Sequence, residues 1–111
     1  MAVFRIEWLN DDPLKASAAF HSGIAPRFRG LADACITVVF SPARHEHSGW
    51  RKAAIAMLAR AMTPQRVNAI AADDEAAIAS ALAYLEAAPG LTGQYLPLDD
   101  AGAGPVLQAP A

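Results

Sequence analysis

The 111-residue sequence predicts a small α/β domain built on an open, mostly parallel four-stranded sheet. Three observations carry that prediction. Strand-forming and helix-forming stretches alternate along the chain. The segment Cys35-Ile36-Thr37-Val38-Val39-Phe40 is an unbroken, largely β-branched run, the pattern of a central parallel strand buried on both faces. Two of the helical stretches open on acidic start signals, Asp12-Pro13 and Asp73-Asp74-Glu75.

Val3 to Leu9 alternates around Arg5 and Glu7 and reads as a first strand with one face or one end in water, as on a sheet edge. Asp12 then serves as N-cap and Pro13 as first residue of a helix. Its apolar stripe is expected along Leu14, Ala18, His21, Ala25 and Phe28, with Phe20 and Ile24 beside it. Pro26 is expected to kink or end it, because proline lacks the N–H and crowds the preceding turn. The second strand ends at Ser41-Pro42. A polar loop from Ala43 to Gly49 leads to a second helix over about Trp50 to Met62, closed by Thr63-Pro64. Val67 to Ala71 is a short third strand, followed by a helix with the stripe Ile78, Leu82 and Leu85 that closes at Pro89-Gly90. Tyr95 to Leu98 is a last short strand, placed at an edge because Pro97 cannot donate to a ladder. Crossovers are expected to be right-handed. Residues 1–100 form the expected domain, and 101–111, rich in Gly, Ala and Pro, a flexible tail.

Composition narrows the function classes. Apolar residues make up 54% of the chain but aromatics only 7%, so small aliphatic side chains should dominate the packing. At 18% the charged fraction is below the usual quarter, which suggests that a partner covers part of the surface. The net charge of −2 comes without a basic block, so neither nucleic acid nor an anionic membrane is indicated as a partner. The single Cys35 allows no intramolecular disulfide and reads as a small buried hydrophobe in a reducing compartment. No signal-peptide core and no apolar run near the roughly twenty residues of a spanning helix are evident, so a cytoplasmic location is expected.

Arg66-Val67-Asn68-Ala69-Ile70-Ala71, followed by Tyr84-Leu85, Thr92-Gly93-Gln94 and Asp99, resembles the back half of the short-chain dehydrogenase/reductase family. Ile36 to Ser41 is similar to that family's serine-bearing strand, and Leu58 to Pro64 to the end of its long helix. Ala25-Pro26-Arg27-Phe28 is a weaker match to the kinked end of the preceding helix. The resemblance spans about residues 14 to 102 and implies half of a Rossmann-type sheet, in a truncated, proteobacterial-type relative. The family's glycine-rich first turn is absent, and too few residues precede the serine strand for three further strands. Its Tyr-x-x-x-Lys pair falls, by either alignment, on residues without a phenol: Ser48 paired with Lys52, or Arg44 paired with Ser48. Hydride transfer in the family needs that phenol to exchange a proton, so only Ser41 remains as a catalytic relic. NAD(P) and other cofactors are therefore not expected.

The same resemblance implies a dimer interface on the two helices flanking the serine strand, with Leu14, Ala18, Phe28, Trp50, Met57 and Ala61 as candidates. Trp50 reads in addition as a packing residue. Arg44-His45-Glu46-His47 is the densest functional cluster. Its two histidines sit in a loop without an evident third ligand, since His21 serves only if its helix faces them, so no metal site is expected. The loop follows a strand's carboxyl end, where open α/β sheets place ligands, which makes Ser41, His45, His47 and Asp73 the candidate ligand site. The expected function is non-catalytic, through contacts with a second copy or with a complete dehydrogenase. The alternatives are a small-ligand binding module or an enzyme repurposed around Ser41 with His45 or His47 as base.

Overall fold

Four strands, β1 (Ala2–Ile6), β2 (Cys35–Phe40), β3 (Arg66–Ala71) and β4 (Tyr95–Pro97), lie side by side in chain order. All three pairings are parallel, with Ile6 opposite Phe40, Phe40 opposite Ala71, and Ala71 opposite Pro97. The computed structural model describes residues 1–7 and 9–98; Trp8, Asp99 and the expected tail at 101–111 lie outside them. Every residue of β2 is buried, as its β-branched run predicts, and β1 and β4 form the edges. On β1, Val3 and Arg5 stay exposed, in keeping with the alternation around Arg5 and Glu7.

The connections are helical. Pro13–Ala19 forms α1, Ala25–Arg29 forms α2, Ser48–Ala61 forms α3, and Glu75–Glu86 forms α4. The Asp12 carboxylate accepts the Lys15 N–H and Asp74 accepts that of Ala77, so both acidic start signals act as N-caps. On one face of the sheet, α1, α2 and α3 bury Phe20, Phe28, Ile55 and Leu58 against Ile36, Val38, Phe40, Val67 and Ala69. On the other face α4 buries Ile78 and Leu85 against Val39 and Ile70. The strands advance in one direction while α4 passes on the opposite side from the rest. The third crossover therefore has the opposite hand to the first two, and the expectation that all are right-handed is corrected. The covering requirement explains it: Val39 and Ile70 present apolar side chains to the face that the first three helices leave bare.

The first helical arm is not interrupted at Pro26. A π-helical turn, Phe20–Ile24, joins α1 to α2, and the Ala25 N–H reaches back five residues to the Phe20 carbonyl. This wider turn immediately before Pro26 accommodates a residue that cannot donate and would crowd a tighter one. It also inserts one residue into the helical repeat. The buried stripe is consequently Ala16, Phe20, Ala25 and Phe28, while Leu14, Ala18 and His21 face outward. Aromatic residues are few but gathered: Phe20 lies 5.6 Å from both Phe40 and Trp50, and Phe28 lies 5.2 Å from Phe4.

The segments that carry the sequence resemblance prove to be scaffold. Arg66 donates through Nη1 to the carbonyls of Leu85 and Ala88, at 3.0 and 2.9 Å, and so places a cation on the carboxyl end of α4. Asn68, fully buried, donates to the Leu91 carbonyl and accepts the Gln94 N–H. The Thr92 hydroxyl accepts the Val67 N–H, and Gly93 at φ 75° turns the chain into β4. Across the sheet end, Arg5 grips Glu75 with two parallel hydrogen bonds of 2.8 and 3.0 Å.

Two outcomes follow. Asn68→Ala strips two partners from the turn before β4 and should cost about 1–3 kcal/mol in a urea titration. The Arg5 hydrogen bonds, and secondarily its charge, hold the Glu75 carboxyl below the usual range. The pair's stabilisation is thus fully present above the ordinary glutamate range and lost as pH falls through the depressed folded-state value. Glu75→Gln should flatten that acid limb of the melting-temperature profile, and wild-type behaviour in this variant would contradict it.

Candidate functional site

At the carboxyl ends of β1 and β2 the chain leaves a crevice of about 480 Å³, lined by Leu9, Asn10, Asp11, Ser41, Pro42, Ala43, Arg44, His47 and Arg51. The volume falls in the range of small-molecule sites. Segment 9–11 follows β1, segment 41–44 follows β2, and His47 and Arg51 come from the start of α3. The local sequence dictates this. Ser41-Pro42 stops β2, and a 3₁₀ turn at His45–His47 then redirects the chain into α3. A more open depression of about 620 Å³ between α3 and β4, with Lys52 and Gln94 on its rim, has no buried polar group in its wall.

Of the four candidate ligand residues, Ser41 and His47 reach the crevice wall, whereas His45 and Asp73 are exposed and do not line it. His47 is buried with both ring nitrogens engaged. Its Nδ1 accepts the Trp50 indole N–H at 3.1 Å, which places the ring hydrogen on Nε2, and Nε2 donates to the Asp11 carbonyl at 2.9 Å. Both ring nitrogens are thus taken up inside the chain, which leaves none free for a metal. No hydrogen bond joins Ser41 to His45 or His47 among the described residues. Among the described residues no three His, Cys, Asp or Glu side chains gather into a metal site.

The residue that dominates the crevice is Arg51, which the motif reading passed over. It is only 3% exposed and forms no ion pair among the described residues. Its Nη1 donates to the Ser41 carbonyl at 2.9 Å and the Tyr95 hydroxyl at 3.3 Å. The guanidinium carbon stands 4.3 Å from the Phe40 ring centre. Its Nε is buried without any hydrogen-bond partner. A detectable signal existed: Arg51 shares the spacing of the buried residues Ile55, Leu58 and Met62, so it stands on the inward face of a helix otherwise apolar there. Arg44, by contrast, is exposed and paired with Glu46 at 2.8 Å.

The interface candidates divide. Leu14, Ala18, Met57 and Ala61 are on the surface, with Leu14 82% and Met57 51% exposed. Phe28 is wholly buried in the chain's own core, because the π turn brings it under the sheet, and Trp50 packs on Phe20 and Phe40. Phe28 thus offers no free surface, while Trp50 is half-buried.

The β1-to-α1 connection, residues 7–12, contains no glycine and holds Glu7, Asp11 and Asp12. The start of α1 is capped by the Asp12 carboxylate. No helix among the described residues is long and apolar enough to cross a membrane. A family model described as short chain dehydrogenase-like protein matches residues 4–98. No curated protein and no solved structure matches.

Proposed function

The chain belongs to the short chain dehydrogenase-like protein family, and from that membership we propose that it is a non-catalytic binding domain, the back half of such a fold, holding a small molecule at its strand ends. The observation that carries this reading is the crevice at the carboxyl ends of β1 and β2 with the buried Arg51 in its wall. Open α/β sheets place their ligands at that end. Two features support the absence of family chemistry. The phenol position falls on Ser48 or Arg44, and the buried imidazole of His47 is committed to Trp50 and Asp11.

A second reading, self-association, is supported by the outward-facing Leu14 and Met57 on α1 and α3, two helices that cover the same sheet face. A second copy laid on these helices would bury both side chains. Docking on a complete dehydrogenase would use the same surface.

Thermal denaturation with a four-carbon series, sodium butyrate, butyramide and butylamine, tests the binding reading. At least one member should raise the melting temperature of the wild-type chain, and Ala43→Trp, which fills the crevice, should remove that response. NADPH should leave it unchanged; a saturable NADPH shift, or a response intact in Ala43→Trp, would overturn the reading. Light scattering tests self-association: a dimer mass that falls to monomer in Leu14→Glu/Met57→Glu is the expected result, and a wild-type monomer at all concentrations would refute it.

A further inference from the structure

Resting on the binding reading above, we propose that the group taken by the crevice is the carboxylate of a small aliphatic monocarboxylic acid, with Arg51 as its counter-charge. The argument starts from the cost of the apo arrangement. A guanidinium withdrawn from water needs a compensating charge, and Arg51 at 3% exposure finds no carboxylate among the described residues. The contacts it makes are to a carbonyl, a hydroxyl and an aromatic face, all neutral. Its Nε is left with no acceptor, an arrangement that buried N–H groups rarely tolerate. A purely structural tie between the end of β2 and Tyr95 would not need a charge, and a neutral donor could serve. An anion entering the crevice supplies the missing charge.

The backbone around the crevice agrees. Three helices start at the carboxyl edge of the sheet. Two of these starts carry their own anion, Asp12 on α1 and Asp74 on α4. The start of α3 has no side-chain cap and no acidic residue in its first turn, and Arg51 adds a second positive source there. The α3 start and Arg51 thus stand together at the crevice.

The remaining wall distinguishes among anions. Arg44 is tied to Glu46, and the exposed Asp11 also lines the crevice, so a second negative charge on the ligand would find repulsion rather than a partner. That disfavours a phosphate dianion. Leu9, Pro42 and Ala43 supply an apolar patch beside the charge, suited to a short hydrocarbon body.

The same four-carbon series separates this inference from the broader one. Calorimetric titration of the wild-type chain with butyrate should give saturable binding. Butyramide, sodium chloride at equal ionic strength and inorganic phosphate should not match it. Arg51→Lys, which keeps the charge but loses the planar fork, should weaken butyrate binding about tenfold, and Arg51→Met should abolish it. Should Arg51→Met fail to fold, Arg51→Lys decides. Butyramide or butylamine binding in place of butyrate, blocked by Ala43→Trp, would keep the binding site and overturn the carboxylate. Phosphate binding more tightly than butyrate, or butyrate affinity unchanged in Arg51→Lys, would overturn it as well. Silence from the whole series would overturn both readings.

Discussion

A sheet whose central strands are apolar on both faces must be covered on both sides, and most of this architecture follows from meeting that demand with few helices. Val38 and Phe40 point one way along β2, Val39 the other, and β3 repeats the pattern with Ala69 and Ile70. The strands are laid down in chain order, so successive crossovers of one hand would stack every helix on one face. Passing α4 across the opposite face resolves the conflict. It costs a connection of the less common hand, and the fixtures around it are correspondingly dense: Arg66 on the carboxyl end of α4, Asn68 and Thr92 on the turn that follows.

Strands and caps were legible in the sequence because their signals are local. Cys35–Phe40 coincides with its β-branched run residue for residue, and Asp12 and Asp74 cap the helices they precede. The first strand ends earlier than its alternation suggested, at Ile6. The stripe of the first helix was misread for a definite reason. A period of 3.6 residues counted back from Phe28 buries Leu14, Ala18 and His21, and one inserted residue in the π turn moves burial to Ala16 and Phe20 instead. Nothing in a periodicity count announces such an insertion, although Pro26 marks where one is useful.

The candidate site was half legible. Its position at the end of β2 and the presence of Ser41 and His47 in the wall followed from the strand-end rule. The roles did not. A histidine in a polar loop reads as a free ligand, yet His47 is consumed by the indole of Trp50 and the Asp11 carbonyl, two groups whose approach is set by tertiary packing. Arg51 went unnoticed because an arginine is expected on a helix's wet face. The motif-like residues Arg66, Asn68, Thr92 and Gly93 mark the family through fastenings of the scaffold, and a likeness carried by such residues is a likeness of fold.

The division of the interior into two separate cores has a consequence for how the protein fluctuates. The smaller core under α4 is separate from the larger one, with the three-residue β4 sending Tyr95 to the larger and Leu96 to the smaller. Such a layer is suited to open as a unit while the rest stays folded, so amide exchange would be expected to separate into a fast-opening carboxyl-terminal flap and a slower body. Tyr95, which packs on Phe40 and holds Arg51 through its hydroxyl, belongs to the slower body, so the guanidinium keeps this partner while α4 opens.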